Sequence, residues 1–81
     1  MGTLLSRHHA ALRALLRELR VENGLTQTML AERLGKPQSF VSKYESGERN
    51  LDLIEIYRIC EACGIGFPEF AQRITAHLDG I

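Results

Sequence analysis

The stretch that most restricts how this chain can fold is "RLGKPQSF", residues 33–40. There only Gly35, Lys36 and Pro37 stand between two short apolar-periodic segments. Leu30, Ala31 and Leu34 repeat at helical spacing before the break, and Val41 and Tyr44 stand three apart after it. So short a connection cannot return the second helix antiparallel to the first. It sets the two at a steep angle, as a helix-turn-helix does.

The rest of the chain reads helical as well, with no strand-like alternation. A first helix is expected from Thr3 or Ser6 to Asn23, with Leu12, Leu15, Leu16 and Leu19 as one apolar stripe. Thr26 suits the cap of a second helix and Gly35 its end. Pro37 suits the first turn of a third, over about residues 37–46, which stops before Gly47. Asp52 and Glu55 form a capping box, so a fourth helix should run from Leu53 to Gly64. Its apolar positions are Leu53, Ile56, Ile59, Cys60 and Cys63. Pro68 opens a fifth, which carries Phe67, Phe70, Ala71, Ile74 and Leu78. The expectation is an all-α, compact five-helix bundle, with residues 1–81 as one small domain that self-association would help to stabilise.

The third helix raises the functional question. Gln38, Ser39, Ser42 and Lys43 face outward while Val41 and Tyr44 face the core. In this geometry the second helix lies across the DNA backbone and the third enters the major groove. Gln pairs with adenine, Lys reaches guanine acceptors and Ser is adaptable. A polar helix face is more often merely solvated, but its place directly after a short turn favours base reading. Phe40 also projects outward, toward either a thymine methyl or a packing partner.

Charge and cysteine usage narrow the function further. The formal net charge is zero, yet its distribution is uneven. Residues 1–20 set Arg7, Arg13, Arg17 and Arg20 against Glu18 alone, whereas residues 50–81 set Arg58 and Arg73 against Asp52, Glu55, Glu61, Glu69 and Asp79. A polyanion would prefer the first two thirds. No apolar run suits a membrane span or signal peptide, so the expectation is a cytoplasmic protein with no membrane partner. Cys60 and Cys63 form C-x-x-C, and His8, His9 and His77 are conceivable co-ligands, but both cysteines fall on the apolar stripe and read as core. No metal, cofactor or catalytic constellation is expected, and the chain reads as a non-enzyme.

"GLTQTMLAERLG" followed by "KPQSFVSKYESGERNL" resembles the phage-repressor/Cro-like, or XRE-type, helix-turn-helix family over roughly residues 16 to 66. The resemblance implies a lambda-repressor-like fold. It assigns base reading to Gln38, Ser39, Ser42 and Lys43, with Phe40 beside them. It assigns phosphate binding to Gln27, which would also brace Gln38, and to Thr26, Lys36, Arg49 and Asn50. It further implies a structural ion pair between Arg20 and Glu45.

The expected function is that of a transcriptional regulator, a repressor, bound as a homodimer to a near-palindromic operator in double-stranded DNA. The C-terminal helix, about 67–79, is the expected dimer element, with Ile74, Leu78 and Ile81 at its interface. The alternative is an antitoxin or other interaction module whose partner is a toxin or another protein. Nothing in the residues names the operator or an effector.

Overall fold

The computed structural model describes residues 3–81. Five helices and, among the described residues, no strand make up the chain: α1 Leu4–Glu22, α2 Gln27–Leu34, α3 Gln38–Ser46, α4 Leu53–Ala62 and α5 Phe67–Asp79. Their starts follow capping chemistry. Thr3 Oγ1 accepts the Ser6 N–H at 3.1 Å, and Thr26 Oγ1 accepts that of Met29 at 3.1 Å. Asp52 and Glu55 each accept the other's backbone N–H, at 2.8 and 3.0 Å.

The turn between α2 and α3 sets the tilt on which everything downstream depends. Gly35 adopts φ 67°, a left-handed conformation that costs glycine little, and Lys36 N–H then bonds the Ala31 carbonyl at 2.9 Å. Pro37 stands just before α3 and not within its first turn. Its backbone stays extended at ψ 156° and its carbonyl accepts the Phe40 N–H at 2.9 Å. The chain therefore changes direction within three residues.

The core gathers one face from each helix: Leu15, Leu16 and Leu19 of α1, Leu30, Ala31 and Leu34 of α2, Val41 and Tyr44 of α3, Ile59 and Cys60 of α4, and Phe70 of α5, with Leu25 and Cys63 from the junctions. Helix α2 packs on α3 and α4, and α1 packs on α3, α4 and α5. Cys60 and Cys63 are both free and buried in this cluster. Burial, then proximity to Cys63, pushes the Cys60 thiol up to about 11, which suits a small apolar side chain and not a reactive thiolate. No helix of the described residues is long and apolar enough to cross a membrane.

One sequence expectation changes at this level. Leu53, expected on the apolar stripe of α4, is 65% exposed, whereas Ile56 in the same turn packs against the core. Ile74, assigned to a partner, packs against the chain's own core, and Leu78 is half-buried. Ile81 is 38% exposed.

Tyr44 is fully buried, and its hydroxyl has no hydrogen-bond partner among the described residues. Burial raises its pKa above the ordinary value of about 10. The folded chain thus keeps a proton that the unfolded chain releases. Stability is fully present below the unfolded pKa and declines as pH climbs past it toward the folded one. Tyr44→Phe should therefore stabilise the fold by about 1 kcal/mol, raising the thermal midpoint by about 4–8 °C at neutral pH. It should also remove this tyrosine's share of the alkaline decline. Circular dichroism melts at neutral and alkaline pH check both, and a lowered midpoint at neutral pH would show that the hydroxyl has a partner.

Candidate nucleic-acid interface

The site is built outward from a buried charge. Glu45, in the last turns of α3, has a side chain only 5% exposed. Arg20 of α1 meets it with a two-pronged contact, Nε to Oε2 at 2.7 Å and a terminal nitrogen to Oε1 at 3.0 Å. The other terminal nitrogen of Arg20 donates to the Leu25 carbonyl at 2.8 Å. The hydrogen bond to Glu45 outweighs desolvation and raises the Arg20 pKa. Gln27, the first residue of α2, adds a donor to Glu45 Oε1 at 3.0 Å, and its own carbonyl oxygen accepts from Gln38 at 2.8 Å. A continuous path of hydrogen bonds thus runs from α1 through the interior to the first residue of α3.

A second cluster centres on Phe40. Its outward position is expected to meet either a thymine methyl or a packing partner; the ring is half-buried and meets Tyr44 edge-on, with centroids 5.6 Å apart and planes at 71°. Lys36 Nζ lies 5.6 Å from the ring centroid and the Arg49 guanidinium carbon 4.7 Å. Arg49 also donates to Glu55 at 3.2 and 2.8 Å and to the Asn50 carbonyl at 3.2 Å. The Arg49 guanidinium, with help from the Asp52 backbone, holds the Glu55 carboxyl below the usual carboxylate range. Phe40 is thus a half-buried platform for two cations.

The outer side of α3 is left to solvent. Gln38, Ser39 and Lys43 are exposed, while Ser42 is half-buried and donates back to the Ser39 carbonyl at 3.4 Å. Among the described residues the side chains of Ser39 and Lys43 make no hydrogen bond or ion pair. Thr26 and Asn50 are exposed at the start of α2 and in the loop after α3, and the Thr26 hydroxyl keeps its own proton to donate while it caps.

Three contributors escaped the sequence reading. Glu55 showed only as a cap, and the Leu25 carbonyl gave no signal. The Arg13 guanidinium lies where a Cβ on Gly47 would come within 3.1 Å of it. Among the described residues no three His, Cys, Asp or Glu side chains converge to hold a metal ion.

Arg20→Leu leaves Glu45 buried without its counter-ion and should cost about 3–5 kcal/mol. Replacing both, Arg20→Leu with Glu45→Leu, should cost clearly less than the single change, because no orphaned charge remains. Urea unfolding of the two variants checks this, and a double variant less stable than the single would refute it.

Residues 16–70 match the family model of the helix-turn-helix described as HTH_3. An uncharacterized HTH-type transcriptional regulator of Sinorhizobium fredii, y4dJ, is 39% identical over 51 residues, 63% of this chain and 66% of the relative, so the match spans just under two thirds of that protein's length. An uncharacterized HTH-type transcriptional regulator of Methanothermobacter thermautotrophicus is 43% identical over 53 residues, 65% of this chain and 77% of the relative. Among solved structures, an XRE-family like protein from Pseudomonas syringae pv. tomato superposes with a TM-score of 0.81 at 44% identity, covering 86% of this chain and 85% of that one. With its short α2–α3 turn and its exposed polar helix, the chain belongs to the XRE-type helix-turn-helix family of DNA-binding transcriptional regulators.

Proposed function

We propose that this chain represses transcription by binding a near-palindromic operator as a homodimer, with α3 of each copy in the major groove. The observation that carries the reading is the exposed edge of α3, held at one tilt by the Gln38–Gln27–Glu45–Arg20 path behind it. Gln38 spends one amide hydrogen on Gln27 and keeps an acceptor and a donor for adenine's edge. Lys43 and Ser39 have no competing partner on other elements and can reach guanine acceptors or adapt to either base. The first N–H groups of α2, with Gln27 and Thr26, suit one phosphate. Lys36, Arg49 and Asn50 suit the backbone on either side of α3. Two copies on one duplex would place their α3 helices about 34 Å apart, over successive turns of the same face.

Selection of bound duplexes from a random pool should return an enriched inverted repeat. Gln38→Ala and Lys43→Ala should each relax preference at particular base pairs, by about 1–3 kcal/mol. Arg49→Ala should weaken all sequences alike and lower the salt slope by about 1. A pool with no enriched site, or affinity for the best site that is indifferent to salt, would end the proposal.

A further inference from the structure

We infer that Phe40 is a positioning residue for the phosphate clamp, acting on DNA through Arg49 and Lys36 and not by touching a base itself. The inference rests on the DNA-binding reading proposed above and names what orders its backbone grip. Phe40 stands third in α3, among the outward residues, yet its ring is half-buried and packs against the core. The Arg49 guanidinium carbon lies over the ring, 4.7 Å from its centroid, and Tyr44 meets the ring edge-on with centroids 5.6 Å apart. A base could reach that face of the ring only by displacing the guanidinium.

The hydrogen bonds of Arg49 show what the stacking achieves. Both hydrogens of Nη1 are engaged, by the Asn50 carbonyl at 3.2 Å and Glu55 Oε1 at 3.2 Å, and Nη2 donates one to Glu55 Oε2 at 2.8 Å. The Nε–H and the second hydrogen of Nη2 remain, side by side along one edge of the planar group. Among the described residues neither has an acceptor. Such a parallel pair of N–H groups matches two oxygens of one phosphate. Glu55 thus sets the direction of the free edge, and the Phe40 ring sets the plane in which it lies. The Arg49 side chain stays 41% exposed, which leaves a phosphate room to approach.

Lys36 adds a second cation to the same ring. Its Nζ lies 5.6 Å from the Phe40 centroid, and among the described residues it makes no ion pair. Lys36 comes from before α3 and Arg49 from after it, so one aromatic side chain gathers the cations that flank the helix. An aliphatic residue could fill the core contact but has no negative π face to hold them. Lys and Arg side chains are rich in rotamers, and holding them before DNA arrives lowers the ordering cost of the clamp. Phosphate contacts carry no sequence information directly, so the ring's effect on binding must be equally blind to sequence.

The test is titration of the selected duplex, and of copies with single altered base pairs, using the full chain and its variants. Phe40→Leu should weaken every duplex alike, by about two- to fivefold. The same change should cost clearly less in the Arg49→Ala background, where the cation it positions is gone. Phe40→Tyr keeps the ring and should bind like the parent. Without DNA, the Arg49 side-chain protons should show an upfield ring-current shift by NMR, lost in Phe40→Leu and kept in Phe40→Tyr. Circular dichroism melts check that each variant is folded, and Phe40→Met replaces Phe40→Leu if that variant is not. The inference is overturned if the aliphatic variant alters preference at one base pair, as loss of a base reader would. It is equally overturned if the loss is the same with and without Arg49, as a merely structural role would give, or if the ring-current shift is absent from the parent. A pool with no enriched duplex would overturn the DNA reading and this inference together, whereas the other outcomes overturn the inference alone.

Discussion

The carboxylate of Glu45 is the constraint on which the remaining structure turns. Apolar contacts among leucines are non-directional, and many slightly different packings of five short helices would satisfy them. A carboxylate withdrawn to 5% exposure is not so tolerant. Its desolvation is offset only where donors sit in the right places, and here they come from Arg20 on α1 and Gln27 on α2. The remaining terminal nitrogen of Arg20 is in turn satisfied by the Leu25 carbonyl in the α1–α2 loop. One buried acid therefore ties three helices and a loop into a single relative placement. Because Gln27 also holds Gln38, that placement is passed to the surface, where α3 meets solvent.

A second constraint acts from the outside. The three-residue turn fixes where α3 begins, and the Phe40 ring, braced edge-on by Tyr44, gathers a cation from before the helix and another from after it. Arg49 is also forked onto Glu55, and Glu55 belongs to the box that starts α4. The loop after α3 is thus held between the end of one helix and the beginning of the next. Groups already held in one geometry lose less freedom on binding, which makes a rigid loop a better anion clamp than a mobile one.

Much of this is legible in the residues alone. Helix ends follow local rules, so Thr26, Gly35, Asp52 and Glu55 marked them, and the leucine spacing marked the inward faces. What escaped depends on what lies across space. Periodicity puts Leu53 on the same stripe as Cys60, but it cannot say that Leu53 stays exposed while Ile56 and Cys60 reach the core. Phe40 looked outward by helical phase, and only the third dimension brings Lys36, Arg49 and Tyr44 around it. The resemblance directed attention to Arg20, Glu45, Gln27 and Gln38. Their distances, and the Leu25 carbonyl that completes the set, belong to the fold.

Net neutrality has a structural explanation. Several acids are already matched: Glu45 by Arg20, Glu55 by Arg49, and Glu22 with Glu18 by Arg73. Lys36 and Lys43, before and within α3, have no carboxylate partner among the described residues. The formal sum of zero therefore coexists with two lysines before and within α3 that no carboxylate neutralises at close range. Two such charges are few, and counter-ion release grows with the number of phosphates met. One copy then gains little from non-specific attraction, and on the proposed reading discrimination rests on base contacts and on joining two copies. A weakly cationic helix-turn-helix that adheres poorly to arbitrary DNA spends less of its time on the wrong sites.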